Sequence, residues 1–200
     1  MEVQRKLNAK QLQLLKLIYK FRFVTIGLLA KHRQVQEWSI QNALNILGDY
    51  GYITRRYDKS YKIDRKPASY HLSSKALKLL RDEHGLNKQV LHARYKDHNV
   101  GQPFVDHCID VFKTYSDIKN THPDTFNILT KAELQEFDYF PRPFPDLYLS
   151  RTDPSDNVSD EFMIDLFDYR THSFVIKKRI DQYLEHYEDG EWPEENYPNV

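Results

Sequence analysis

The sequence predicts an α+β chain in two parts. The first half is helical and interrupted by a β-hairpin; the second has strands followed by a long helix. Three observations carry this. Apolar residues recur at i, i+3 and i+4 through four segments before residue 85. Two runs of β-formers, 52–57 and 69–72, fall between the third and fourth of those segments. The charge also divides: the first hundred residues hold 20 Lys+Arg against 8 Asp+Glu, the second hundred 9 against 21. A formal total of zero thus hides halves of +12 and −12, which argues for two domains with different partners.

Asn8 stands before Leu12, Leu14, Leu15, Ile18, Tyr19 and Phe21, so a first helix over about 9–21 with Asn8 as its N-cap is expected. Thr25 caps a short second helix through Ile26, Leu28, Leu29 and Ala30, closing near Lys31-His-Arg-Gln34. A third helix is expected over roughly 36–49, with Ile40, Ala43, Leu44 and Leu47 inward and Gly48 and Gly51 bracketing its end. Tyr52-Ile-Thr-Arg-Arg-Tyr57 and Ser69-Tyr-His-Leu72 read as the hairpin strands, and Ser73 or Ser74 caps a fourth helix through Ala76, Leu77, Leu79 and Leu80. Helix, helix, helix, hairpin, helix is the order of a winged helix-turn-helix, assigned to residues 1–90.

In that motif the third helix enters the DNA major groove and the hairpin lies along the backbone. The outward residues of the third helix include Gln36, Trp38, Ser39, Gln41, Asn42 and Asn45, and side-chain amides have the paired donor and acceptor that read adenine edges. The hairpin carries Arg55, Arg56, Lys59, Lys62, Arg65 and Lys66, cations suited to phosphate. Ser39-Ile-Gln-Asn-Ala-Leu-Asn-Ile-Leu47, Gly51-Tyr-Ile-Thr-Arg55 and Tyr70-His-Leu-Ser-Ser-Lys75 resemble the signature of winged-helix regulators.

Leu91 to Asn99, with His92, Arg94, Lys96 and His98, reads as a polar link to an acidic domain over 98–200. A helix over about 101–119 carries Phe104, Cys108, Val111, Phe112, Tyr115 and Ile118 as one stripe, which makes the lone cysteine a core residue. Strands are expected near 126–130, 145–150 and 161–167, the last with apolar residues on both faces like a central strand. A helix near 173–189 then turns Ile176, Ile180, Tyr183, Leu184 and Tyr187 to one side, the expected packing face.

Pro145-Asp146, about twenty residues on a strand ending in Asp165, then a helix bearing Lys178, resembles the PD-(D/E)xK nuclease core. There two carboxylates at adjacent strand ends hold Mg²⁺, and a lysine two residues past the second stabilises the attacking water or the transition state. Phe167 occupies that lysine position, so only Lys177 or Lys178 could reach back from the helix. The resemblance implies an inactive nuclease-like α/β domain with Asp146, Asp165 and Lys178 as vestiges, no catalytic residue and no resident metal. It also implies a further sheet strand, for which the chain, ending at Val200, has no residues left, so either more residues follow or the fold is minimal.

Taken together, the chain resembles the replication-relaxation family of plasmids and other mobile elements. The matching features are the winged helix, the helix entered through Asp97-His-Asn99, Pro145-Asp146, Ile164-Asp165, and Lys178-Arg-Ile-Asp-Gln-Tyr183 before Gly190-Glu-Trp192. Family members tend to have "E-x-D" in the central strand; here Asp165 is followed by Phe167 and then Asp168 on the opposite face.

The function expected is double-stranded DNA binding in transcription regulation or in initiating replication or transfer. One alternative is an adaptor for a basic partner such as a relaxase, a replication initiator or a second copy in a homodimer. The other is a Mg²⁺-dependent nuclease. With no signal-like start, no long apolar run and no disulfide, a cytoplasmic location without membrane contact is expected. No cofactor is expected, because no glycine-rich phosphate loop and no metal spacing occur.

Overall fold

In a computed structural model of the chain, described over residues 7–57, 62–63, 66–84, 88–152, 159–193 and 196–200, the first periodic segment forms α1 (Ala9–Phe21). Asn8 and Gln11 close a reciprocal capping box: Gln11 N donates to Asn8 Oδ1 at 2.9 Å and Asn8 N to Gln11 Oε1 at 3.0 Å. Leu14, Leu15 and Ile18 are fully buried. The helix stops at Arg22, whose φ of 68° is costly for a residue with a Cβ. Its guanidinium is anchored on Asp97, with Nε donating to Oδ1 at 3.0 Å and Nη2 to the same oxygen.

β1 (Val24–Thr25) and α2 (Ile26–Arg33) follow, with Leu28 N donating to Thr25 Oγ1 at 3.4 Å. Next come α3 (Glu37–Asp49), β2 (Ile53–Arg56), β3 (Ser69–Leu72) and α4 (Ser74–His84). Ser73 is the α4 cap: Ala76 N donates to its Oγ at 3.3 Å. The sheet is antiparallel in the order β1-β3-β2, with Ile53 opposite Leu72 and Arg56 opposite Ser69. Pairing of Val24 with Tyr70 makes β1 a strand, although two residues are too few to show a period in the sequence.

The stretch expected as a link is folded. α5 (Lys88–Arg94) and a 3₁₀ turn at Asp97–Asn99 lead into α6 (Gln102–Thr121), and Leu91, Arg94 and Asp97 are all buried. Its polarity misleads because Arg94 and Asp97 turn inward while His92, Lys96 and His98 stay exposed. Within α6 the buried positions include Val105, Cys108, Phe112 and Ser116, close to the predicted stripe. Phe21 and Phe112 meet with ring centroids 4.6 Å apart, and Cys108 packs with Phe23 and Val105.

The chain divides into two compact units within α6, Met1–Phe112 and Lys113–Val200. The second holds β4 (Asn127–Thr130), α7 (Lys131–Leu134), β5 (Leu147–Thr152), β6 (Ser159–Ile164) and α8 (Ser173–Glu188). Its strands run antiparallel in the order β4-β5-β6, and Asn199 makes a parallel bridge to Phe162, with Met163 N donating to Asn199 O at 2.8 Å. The chain is therefore α+β, as predicted.

β5 is paired on both sides, with Leu147, Tyr148 and Leu149 all buried, and β6 lies between β5 and the Asn199 bridge. One prediction for this unit is corrected. The packing side of α8 is rotated: Arg179, Tyr183 and His186 are buried, whereas Ile180, Leu184 and Tyr187 are 50%, 53% and 61% exposed. Hydrogen bonds favour the reversal, since Arg179, Tyr183 and His186 each find side-chain or backbone partners. His186 Nε2–H donates to Tyr139 O at 2.8 Å, leaving Nδ1 to accept from Tyr197 O–H at 2.9 Å. Around them Phe140, Tyr148 and Met163 form the core, with Tyr139, Trp192 and Tyr197 packed against it.

Candidate functional site

The fold of α3 sorts its polar residues. Ile40, Leu44 and Leu47 are buried, so Ser39, Asn42 and Asn45 come to the exposed side. Gln36 is exposed at the N-cap position and makes no side-chain cap bond, and Trp38 is 69% exposed. Gln41 is half-buried; its Nε2 donates to Asn45 Oδ1 at 2.8 Å, an i, i+4 bond that orients the Asn45 amide.

The hairpin cations are not equivalent. Arg55 is exposed, with its guanidinium carbon 4.8 Å from the centre of the Tyr57 ring. Arg56, the next residue on a strand that alternates faces, donates from Nη1 to Val100 O at 2.9 Å. Lys66 is paired with Asp106 at 2.8 Å, and Lys62 is exposed. Lys59 and Arg65 lie outside the described residues. Arg56 and Lys66 therefore also tie the hairpin to residues 100–106, a role that sequence reasoning missed because the partners are about forty residues away. On β3, burial holds the His71 imidazole below its usual range, countered in part by its bond to Leu72 O.

In the second unit the β5–β6 register places Leu147 opposite Ile164, which brings Asp146 and Asp165 together just beyond the paired ends. Asp146 N donates to Asp165 Oδ1 at 3.2 Å. Asp146 Oδ1 accepts from Lys131 Nζ at 2.6 Å and its Oδ2 from Leu166 N at 2.8 Å. Asp165 Oδ2 accepts from Arg179 Nε and from Tyr183 O–H, the latter at 2.7 Å. All four carboxylate oxygens thus face protein donors. Burial, then the charge of Asp165, drives the Tyr183 phenol pKa well up, so it stays a donor.

Lys178, the predicted helix partner, is exposed. Arg179 takes that place, is 7% exposed, and donates from Nη2 to Tyr183 O–H at 2.7 Å. The difference is 100° of helix rotation: residues 179, 183 and 186 share the inner side. The i, i+4 spacing of Arg179 and Tyr183 was the available signal. Lys131, at the start of α7, carried none. Among the described residues no three His, Cys, Asp or Glu side chains converge to hold a metal ion.

Arg179→Met is expected to destabilise the chain by about 3–5 kcal/mol, because it leaves the Asp165 charge poorly compensated in a largely buried place. Lys178→Ala should stay within about 0.5 kcal/mol of wild type. Urea unfolding of both variants checks this; equal effects would refute the assignment.

No curated protein and no solved structure matches the chain. No helix among the described residues is long and apolar enough to cross a membrane. The replication-relaxation family model matches residues 15–199, which span the exposed face of α3, the β2–β3 hairpin and the Asp146–Asp165 cluster alike. With nearly its whole length matched, the chain belongs to the replication-relaxation family, which points to a role in replication or mobile-element processes.

Proposed function

We propose that the first unit is a winged helix-turn-helix that binds double-stranded DNA, in regulating transcription or in initiating replication or transfer of a mobile element. The observation that carries the reading is α3: it buries Ile40, Leu44 and Leu47 and exposes Ser39, Asn42 and Asn45 beside an antiparallel hairpin bearing Arg55 and Lys62. The +12 charge of the first hundred residues supports it. On this reading α3 enters the major groove. Asn42 reads a base edge directly, while the Gln41–Asn45 bond holds those two amides in a fixed orientation beside it. Arg55 and Lys62 contact phosphate, and Arg56 and Lys66 hold the hairpin in place.

Arg55→Ala with Lys62→Ala should weaken binding to all duplexes alike and make the log–log salt slope shallower by about 2, near 0.9 for each lost phosphate contact. Asn42→Ala should mainly relax discrimination at one base pair, by about 1–3 kcal/mol. Fluorescence anisotropy on duplexes selected from a random pool measures both. No affinity for any duplex at low salt would overturn the reading.

The second unit is proposed as non-catalytic, because its paired carboxylates are already neutralised by Lys131 and Arg179. Supercoiled plasmid with Mg²⁺ or Mn²⁺ should stay intact. Nicking that vanishes in Asp165→Ala would make the chain a nuclease.

An interaction role for this unit is favoured by the exposed Ile180, Leu184 and Tyr187 on α8. The partner that fits is a second copy. Lys177 and Lys178 lie in the first half of α8 and Glu185 and Glu188 in the second, so antiparallel pairing about a two-fold axis sets opposite charges together. Light scattering should give a dimer mass for wild type and a monomer mass for Leu184→Glu; a monomeric wild type at high micromolar concentration removes the proposal.

A further inference from the structure

Between the end of β6 and the first turn of α8, the second unit exposes four rings in eight residues: Phe167, Tyr169, His172 and Phe174. Tyr169 is 86% exposed, Phe174 67% and Phe167 41%. Scattered apolar side chains are ordinary on a surface, but rings exposed together mark a place of interaction. The nuclease resemblance leaves this segment without a task, since Phe167 stands where its lysine would be.

The rings are held in place. Leu166 N donates to Asp146 Oδ2 at 2.8 Å, which fixes the point where the segment leaves the sheet. Asp168 then closes a turn: its Oδ1 accepts from Arg170 N at 2.8 Å and its carbonyl from Thr171 N at 2.8 Å. The Arg170 guanidinium lies against Tyr169, its carbon 4.9 Å from the ring centre and its Nε donating to the Tyr169 hydroxyl at 2.8 Å. His172 and Phe174 stack, with ring centroids 5.8 Å apart and planes 22° apart. Val175 N donates to His172 O at 2.9 Å, which ties that pair to the start of α8. Two pre-ordered pairs of flat groups thus face solvent, and little side-chain freedom is left to lose on binding.

The segment is also basic within an acidic half. Arg170, Lys177, Lys178 and Arg179 are four of the nine Lys+Arg in the second hundred residues, and Asp168 is the one carboxylate between 166 and 180. Arg179 is spent on Asp165 and Asp168 on its own turn, whereas Arg170, Lys177 and Lys178 are exposed. A partner that suits this surface is anionic and offers flat apolar faces at several points. An acidic peptide has the charge without the planes. Duplex DNA has both, but its base faces are hidden on one another. A single strand presents phosphates and base faces together, and stacking on aromatic rings and guanidinium planes is how such strands are held.

We propose that residues 167–178 form a platform for single-stranded DNA. Bases lie on Tyr169 and on the His172–Phe174 pair, and Arg170, Lys177 and Lys178 meet phosphates. Strand separation accompanies replication, the process to which the family match points, and this favours DNA over RNA. The platform rests neither on duplex binding by the first unit nor on pairing of α8, whose Ile180, Leu184 and Tyr187 it does not use.

Fluorescence anisotropy of the full chain with labelled oligothymidylate, an abasic strand of the same length and a duplex tests this. The thymidine strand should bind, with a log–log salt slope of about −2 from three phosphate contacts. The abasic strand, equal in charge, should bind at least about 10-fold more weakly. Tyr169→Ala with Phe174→Ala should weaken the thymidine strand at least about 10-fold and leave duplex affinity unchanged. Tyr169→Phe with Phe174→Tyr keeps both rings and should bind like wild type. No binding of the thymidine strand at low salt would overturn the proposal. So would equal binding of the abasic strand, or strand binding that the alanine variant retains, which would leave the strand to the first unit. Tighter binding of oligouridylate of the same length would assign the platform to RNA. A dimer that the alanine variant alone loses in light scattering, with no strand bound by wild type, would assign it to a second copy.

Discussion

A carboxylate taken out of water must meet a cation or a set of donors, and this constraint organises both units. In the second, Asp146 and Asp165 come together because β5 and β6 pair in one register, and two carboxylates so close could not both stay ionised without help. Lys131 reaches one and Arg179 the other, which sets where α7 begins and which side of α8 turns inward. In the first unit Asp97 does the same for Arg22, holding a strained backbone turn at the end of α1. The helices are placed by charge as much as by apolar packing.

In the Asp146–Asp165 cluster a lysine and an arginine supply the positive charge, and Asp146 N, Leu166 N and Tyr183 O–H add further donors to the carboxylate oxygens. Such a cluster rigidifies the polar end of the sheet, and breaking any one contact exposes a buried charge.

The charge asymmetry of the chain is resolved differently in its two parts. On the hairpin, Arg56 and Lys66 are engaged with Val100 and Asp106, while Arg55 and Lys62 stay exposed. Cations of the same segment therefore divide between holding the hairpin and presenting charge. The apolar surface of α8 divides likewise, with its most hydrophobic side left outside.

What the sequence by itself determined was local. The Asn8 and Thr25 caps, a serine cap at residue 73 or 74, the inner face of α3 and the hairpin strands were all legible, because each depends on residues within about four positions or on strict alternation. The closeness of Asp146 and Asp165 was expected as well, through the resemblance to the nuclease core. Only the tertiary structure decided which partner neutralises each carboxylate, that 91–99 folds as helix and turn, and that α8 buries Arg179 and Tyr183 in place of Ile180 and Leu184. Those outcomes depend on contacts across fourteen to seventy-five residues. A periodicity of apolar side chains is blind to them, since it treats every charge as solvent-facing when a buried partner can make the inside the cheaper place.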